Sequence, residues 1–270
     1  MFRSLAFAIS ITCIATVAKG HEFWIEPKSY QLVTGSDVVA ELRVGQNFGG
    51  ASQAYLPRNF RRFEYGSNGA TAPLPGRLGD RPAARLETSG EGLVILIHET
   101  TDFKITWDEF EKFESFLKHK DAEWVLEAHQ SEGLSQENVA EAYSRYAKTL
   151  VAVGSGAGSD FEAGLETEFV ALENPYTDDM ADGFDVRVLY QGTPRAGEQV
   201  EVFEKSDEGE VSVFTLQTDD SGMATIPVKP GFQYMLDSVV LRKPSEELAS
   251  GRNVVWESLW ANLTFAIPAN

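Results

Sequence analysis

Four histidines, His21, His98, His119 and His129, are the side chains best able to carry chemistry in this sequence. His21 has a special position. If a signal peptidase cuts after Gly20, His21 becomes the first residue of the mature chain. Its free α-amine and its imidazole Nδ1 can then close a six-membered chelate on one metal ion. Nitrogen donors of this kind suit nickel, copper and zinc, with affinity rising toward Cu(II). The amine has an ordinary pKa of about 7.7–8, so it sheds its proton readily to a metal near neutrality. His98 ends the apolar run Leu93 to Ile97 and would face a site at a sheet rim. His119 lies between Lys118 and Lys120, and Glu22 offers a carboxylate beside His21. His129 near a helix end is explained by the helix dipole alone. The candidate metal ligands are therefore His21, His98 and His119.

Other chemistries lack their residues. No phosphate-cradling glycine loop, G-x-S-x-G elbow or H-E-x-x-H pair occurs. Gly154-Ser155-Gly156-Ala157-Gly158 has no following lysine and reads as a turn. The single cysteine, Cys13, falls in the leader, so the mature chain holds neither disulfides nor thiolate metal sites. The sequence reads as a binding protein and not an enzyme.

The leader itself follows from residues 1–20. Arg3 gives a short positive start, Leu5 to Val17 an uncharged apolar stretch, and Ala18-Lys19-Gly20 a small-residue cleavage site. This is a secretory signal, and the periplasm is the expected destination. No later run reaches the ~20 apolar residues of a spanning helix, so no integral membrane segment is expected in the mature chain. The 270-residue chain carries 23 Lys+Arg against 41 Asp+Glu, a formal net charge of −18. That balance opposes nucleic-acid binding, which needs clustered cations.

The elements that must position these residues are mostly strands. Phe23 to Ile25, Val38 to Val44 and Leu93 to Ile97 are β-branched or aromatic runs of strand length, separated by Thr34-Gly35-Ser36-Asp37, Gly49-Gly50 and Gly66-Ser67-Asn68-Gly69. Residues 106–149 read as helical. Thr106 and Glu109 form a capping box that starts a helix at Trp107, with Phe110, Phe113 and Leu117 on one face. Asp121 caps a second helix. Ser135 caps a third, in which Val139, Tyr143, Tyr146 and Leu150 recur at helical spacing. Leu165 to Leu172 then completes the first domain. Asn174-Pro175 marks a junction, followed by short strands and the turns Gly192 to Gly197 and Thr218 to Gly222. The fold class is mainly β: two β-sandwich-like, immunoglobulin-like domains, at 21–173 and 174–270, with a helical insertion at 106–149 in the first.

His21-Glu22-Phe23-Trp24-Ile25-Glu26-Pro27 after a signal peptide, Tyr143-Ser144-Arg145-Tyr146-Ala147-Lys148 before Val151-Ala152-Val153-Gly154, and Trp256-Glu257-Ser258-Leu259-Trp260-Ala261 before Leu263-Thr264-Phe265 together resemble domain-of-unknown-function family 4198. These are bacterial periplasmic proteins labelled as the periplasmic component of nickel/cobalt uptake. The resemblance implies a metal-related role, a membrane permease as partner, and a nickel, cobalt or copper ion as cofactor. It implies that Trp256 to Phe265 closes the second domain. It also implies a histidine in the penultimate strand, where this chain reads Asp237-Ser238-Val239-Val240-Leu241. Periplasmic transition-metal binding, accessory to uptake or handling, is the expected function. The alternatives are a metal-free module recognising a protein or glycan, and a copper oxidase of the N-terminal-histidine type.

Overall fold

The computed structural model describes residues 22–269; the expected signal segment and His21 lie outside the described residues. In chain order the first strands are β1 (Glu22–Pro27), β2 (Gln31–Leu32), β3 (Val38–Gln46), β4 (Gly49–Gln53), β5 (Phe60–Ser67), β6 (Ala70–Pro73), β7 (Ala84–Leu86), β8 (Gly92–Thr100) and β9 (Phe103–Trp107). Helices α1 (Phe110–His119) and α2 (Trp124–Ser131) follow, then the long strand β10 (Val139–Val153). The remainder comprises β11 (Thr167–Ala171), β12 (Phe184–Tyr190), β13 (Thr193–Pro194), β14 (Gln199–Lys205), β15 (Val211–Gln217), β16 (Met223–Ile226), β17 (Gln233–Arg242), α3 (Glu246–Arg252) and β18 (Trp256–Ala266).

The chain is mainly β and packs sheet on sheet. A ten-stranded sheet in the order β15-β14-β17-β18-β10-β8-β5-β6, with β2 and β9 also on β10, forms the middle layer. One face carries the sheet β1-β3-β4 with β7, and beside it α1 and α2; the other face carries β11-β12-β13 with β16. Each interface is a dry core. Ile95, Leu150, Phe169, Val186, Leu236 and Phe265 fill one; Ile25, Leu42, Leu96 and Val151 fill another. Trp107, Phe113, Phe116, Trp256 and Trp260 seat the helices. The Asn174-Pro175 junction falls between β11 and β12, and the middle sheet hydrogen-bonds strands from both sides of it. Central to this is the parallel pair β10 and β18, in register from Glu141↔Trp256 to Thr149↔Thr264.

Three expectations for residues 106–149 need correction. Asp121 does not cap α2, whose N-cap is Glu123 and which has no side-chain cap. Residues 139–153 form a strand, not a third helix. Glu141, Tyr143, Arg145 and Ala147 face the first sheet and the helices, while Ala142, Ser144, Tyr146 and Lys148 face the other way. Both faces of a central strand are covered, so its alternation disappears and burial recurs at spacings that mimic a helix. Val139 and Tyr143 belong to one face, Tyr146 and Leu150 to the other. Ser135 caps nothing helical; its Oγ accepts from the Glu137 N–H at 3.0 Å in a local turn. The Thr106 capping box is also absent, because Thr106 is paired with Ala140 inside β9. Helix α1 starts at Phe110 without a side-chain cap, and Asp108 and Glu109 instead pair with Lys112 at 3.2 and 2.9 Å. Likewise β11 does not complete the first half. It pairs with β12 in the third layer. Strand β18 does pair with β17, yet it fills the middle of the large sheet and does not end it.

Candidate functional site

Of the three histidines proposed from sequence, His21 lies outside the described residues, and His98 and His119 occupy separate environments. His98, opposite Phe63 in the β5–β8 ladder, is 2% exposed and packs against the rings of Phe23, Phe60 and Phe63 at 5.0, 5.4 and 4.9 Å. Burial pushes its pKa down to about 3, so the ring is neutral. Neither ring nitrogen has a hydrogen-bond partner. A buried donor or acceptor left unmet costs about 1–3 kcal/mol. His119, at the end of α1, is half-buried and places Nε2 3.0 Å from Glu201 Oε1. His129 is a structural residue: Nδ1 accepts from the Trp256 indole at 3.0 Å, and Nε2 lies 3.0 Å from the Ser135 carbonyl. The Trp256 contact assigns the proton to Nε2, which donates to that carbonyl.

His119 does join a buried polar seam. Glu201 in β14, Asp237 in β17 and Asn262 in β18 are register partners in three adjacent strands, so they form one row across the middle sheet. All three are buried, as is Glu22 at the start of β1. Lys120, just past α1, lies between the carboxylates, with Nζ 2.6 Å from Glu201 and 2.9 Å from Asp237. Burial alone would raise Glu201, but the hydrogen bond from His119 and the Lys120 charge outweigh it and hold Glu201 at about 2. Glu22 behaves in the opposite way. Burial, and then the negative charge of Asp237, push it up to about 8. Burial also raises Asp237, against the pull of Lys120. After these contacts, Glu22 Oε2, Asp237 Oδ1 and both amide atoms of Asn262 remain without partners.

Among the described residues, no group of three or more His, Cys, Asp or Glu side chains is arranged to hold a metal ion. The cation between Glu201 and Asp237 is the Lys120 ammonium. The described side chains of the seam therefore do not by themselves form a metal site.

Next to the seam, on the same face of the middle sheet, is a cleft of about 500 Å³. Its walls are aromatic: Phe23, Phe60, Phe103, Trp107, Tyr143 and Trp260. Polar side chains also line it, among them His98, Glu141 and Arg145, with Gln53, Asn59 and Thr100. The Arg145 guanidinium lies 4.7 Å from the Tyr143 ring centre and 5.8 Å from that of Phe23. Glu141 accepts from the Trp107 indole at 2.9 Å and from the Ser258 hydroxyl. Burial raises Glu141 to about 7, although both hydrogen bonds favour its charged form.

Sequence reasoning did not find Lys120, Glu201, Asp237, Asn262, Glu141 or Arg145 as site residues. A signal for some was present. Asp237 interrupts Met235-Leu236 and Val239-Val240-Leu241, and Glu201 sits between Val200 and Val202-Phe203. A lone carboxylate inside an apolar strand is seldom buried without a partner.

Among solved structures, the chain is similar to the D0-D1 domain of intimin, at 15% identity and a TM-score of 0.23, over 91% of this chain and 97% of that one. It is also similar to a tetra-tandem repeat in the extending region of a large adhesion protein, at 10% identity and a TM-score of 0.19, over 91% and 49%. Likenesses at these scores carry no argument about this chain. A search of the curated proteins finds no match. The family match is of a different order, since it spans residues 18–241, from before β1 to near the end of β17. The chain belongs to the family described as Domain of unknown function (DUF4198).

Proposed function

We propose that this chain is an exported, periplasmic binding protein that takes a divalent transition-metal ion, nickel, cobalt or copper, at the start of β1, accessory to uptake through a membrane permease. The observation that supports this reading is the state of the seam. Glu22, at the start of β1, feels the charges of Asp237, Lys120 and Glu201, and His21 precedes it directly in the sequence. The spare buried oxygens there are donors still seeking a partner after Lys120 is satisfied. His21, with its amine and imidazole, supplies the nitrogen donors. His119 is the nearest described histidine, and its bond to Glu201 would have to open for it to ligate. His98, enclosed by three phenylalanines, is not part of this set. No described helix is long and apolar enough to cross a membrane.

Calorimetry with Ni(II) and Cu(II) tests the reading on three proteins. One begins at His21, one carries a single extra residue before it, and one is Asp237→Asn in the first background. The extension converts the amine to an amide and should weaken binding at least 10–100-fold, the range seen on losing even outer partners of a metal ligand. Asp237→Asn should weaken it less. Equal affinities for the first two proteins would remove the metal site, and mass spectrometry showing a mature chain that begins elsewhere than His21 would do the same.

A further inference from the structure

We propose that the aromatic cleft between the first and middle sheets is a second, independent binding site, for an uncharged planar aromatic molecule carrying a hydroxyl group. It goes beyond the metal reading and does not require it.

Protein interiors are packed at crystal-like density, with few voids larger than one water. Some 500 Å³ bounded by six aromatic side chains is therefore not a packing defect, and it falls within the roughly 300–1,000 Å³ range of small-molecule sites. The walls come from several elements: Phe23 from β1, Phe103 and Trp107 from β9, Tyr143 from β10 and Trp260 from β18. No single loop displacement would collapse it. The ring faces favour a flat π-system, which stacks or meets them edge-on. The Arg145 guanidinium, flanked by Tyr143 and Phe23, extends that flat surface.

His98 supplies the polar requirement. It is on the cleft wall, buried and neutral, with neither nitrogen partnered. A neutral imidazole always presents one N–H and one lone pair. Both nitrogens lie just beneath the wall, covered by the flanking phenylalanines, so a hydroxyl reaches one by displacing a ring slightly, then donates to the bare nitrogen or accepts from the N–H. A carboxylate answers only one, and a plain hydrocarbon neither. Among the ionisable side chains on the wall, the Glu141 carboxyl opposes an anion, and the Arg145 guanidinium already faces the Tyr143 and Phe23 rings.

The test uses 1-naphthol as probe and naphthalene and 1-naphthoate as controls. Binding is read by quenching of tryptophan fluorescence, since Trp107 and Trp260 line the cleft, and by calorimetry. The wild-type protein should bind 1-naphthol about tenfold more tightly than either control, the scale of one net hydrogen bond. His98→Phe should erase the preference over naphthalene while leaving naphthalene affinity unchanged. Val44→Trp, which fills the cleft from its half-buried rim on β3, should abolish binding of all three. The protein with one residue added before His21 should bind 1-naphthol as the wild type does, so loss of the metal site leaves this result untouched. No saturable 1-naphthol binding by the wild type, or binding that survives Val44→Trp, would overturn the proposal. So would a preference for 1-naphthol that persists in His98→Phe.

Discussion

Replacing Lys148 with methionine is expected to lower the unfolding free energy by about 3–5 kcal/mol, the cost of leaving a buried charge without its counter-ion. Lys148 projects from β10 toward the third sheet and is 1% exposed. Its ammonium is 2.8 Å from the Asp160 carboxylate and 3.5 Å from Glu168 Oε2. It also donates to the carbonyls of Phe161 and Phe169 at 2.9 and 3.0 Å. The two carboxylates are tied in turn to backbone N–H groups. Asp160 accepts from Ala171 at 2.9 Å, and Glu168 accepts from Ala163 and Gly164, both at 2.9 Å. One lysine therefore fastens the long connection after β10 to both layers. Methionine keeps the stem's bulk and removes the charge. The double change Lys148→Met with Asp160→Asn should recover part of the loss, because it also removes one of the orphaned anions. Urea denaturation of the two variants measures both. A loss below about 1 kcal/mol for Lys148→Met would mean that water solvates these carboxylates.

At alkaline pH, Glu141→Gln is expected to be more stable than the parent, by on the order of 3 kcal/mol once the parent carboxyl is fully ionised. Burial raises the Glu141 carboxyl from an ordinary 4.5 to about 7 in the folded chain. A carboxyl raised by folding binds more protons folded than unfolded. Its stabilising contribution is therefore complete below about pH 4.5 and is lost as pH climbs through about 7. Glutamine retains a carbonyl oxygen for the Trp107 indole and an amide that can donate to Ser258, and it has no proton to lose. Denaturant midpoints for both proteins at pH 5 and pH 8.5 isolate the effect, since other titrating groups cancel in the comparison. The gap should open only at the higher pH. Parallel pH profiles would show that the buried carboxyl is stabilised in its charged form.

The elements that sequence patterning located well are those covered on one side or bounded by clear turns. Val38 to Val44, Leu93 to Ile97 and Phe184 to Tyr190 are strands, and α1 buries Phe113 and Leu117 on one face. Turns also formed at Gly154-Ser155 and within Thr218–Gly222, whereas the range Gly192–Gly197 holds the short strand β13 between two tight turns. The failure came at β10, where burial on both faces erases the period-two signal. The site was harder still. Its row of Glu201, Asp237 and Asn262 joins residues far apart in the chain through strand register. Register depends on which strands neighbour one another, and local pattern does not contain that information. His98 illustrates the same gap. Its strand was legible, but the phenylalanines that enclose it come from β1 and β5.

Strand β18 is the last of the chain, yet it lies between β10 and β17 in the interior of the largest sheet. During synthesis the sheet therefore waits, split along its middle, until β18 has emerged. Until then β10 and β17 each expose a full bonding edge, together with the apolar side chains that Leu259, Leu263 and Phe265 will cover. Unpaired edges of that length are templates for association between chains. The β10–β18 pairing, one of the two that close the gap, links residues more than a hundred positions apart, a topology that folds slowly. Deleting β18 would leave the molecule permanently in this open form, prone to join with copies of itself.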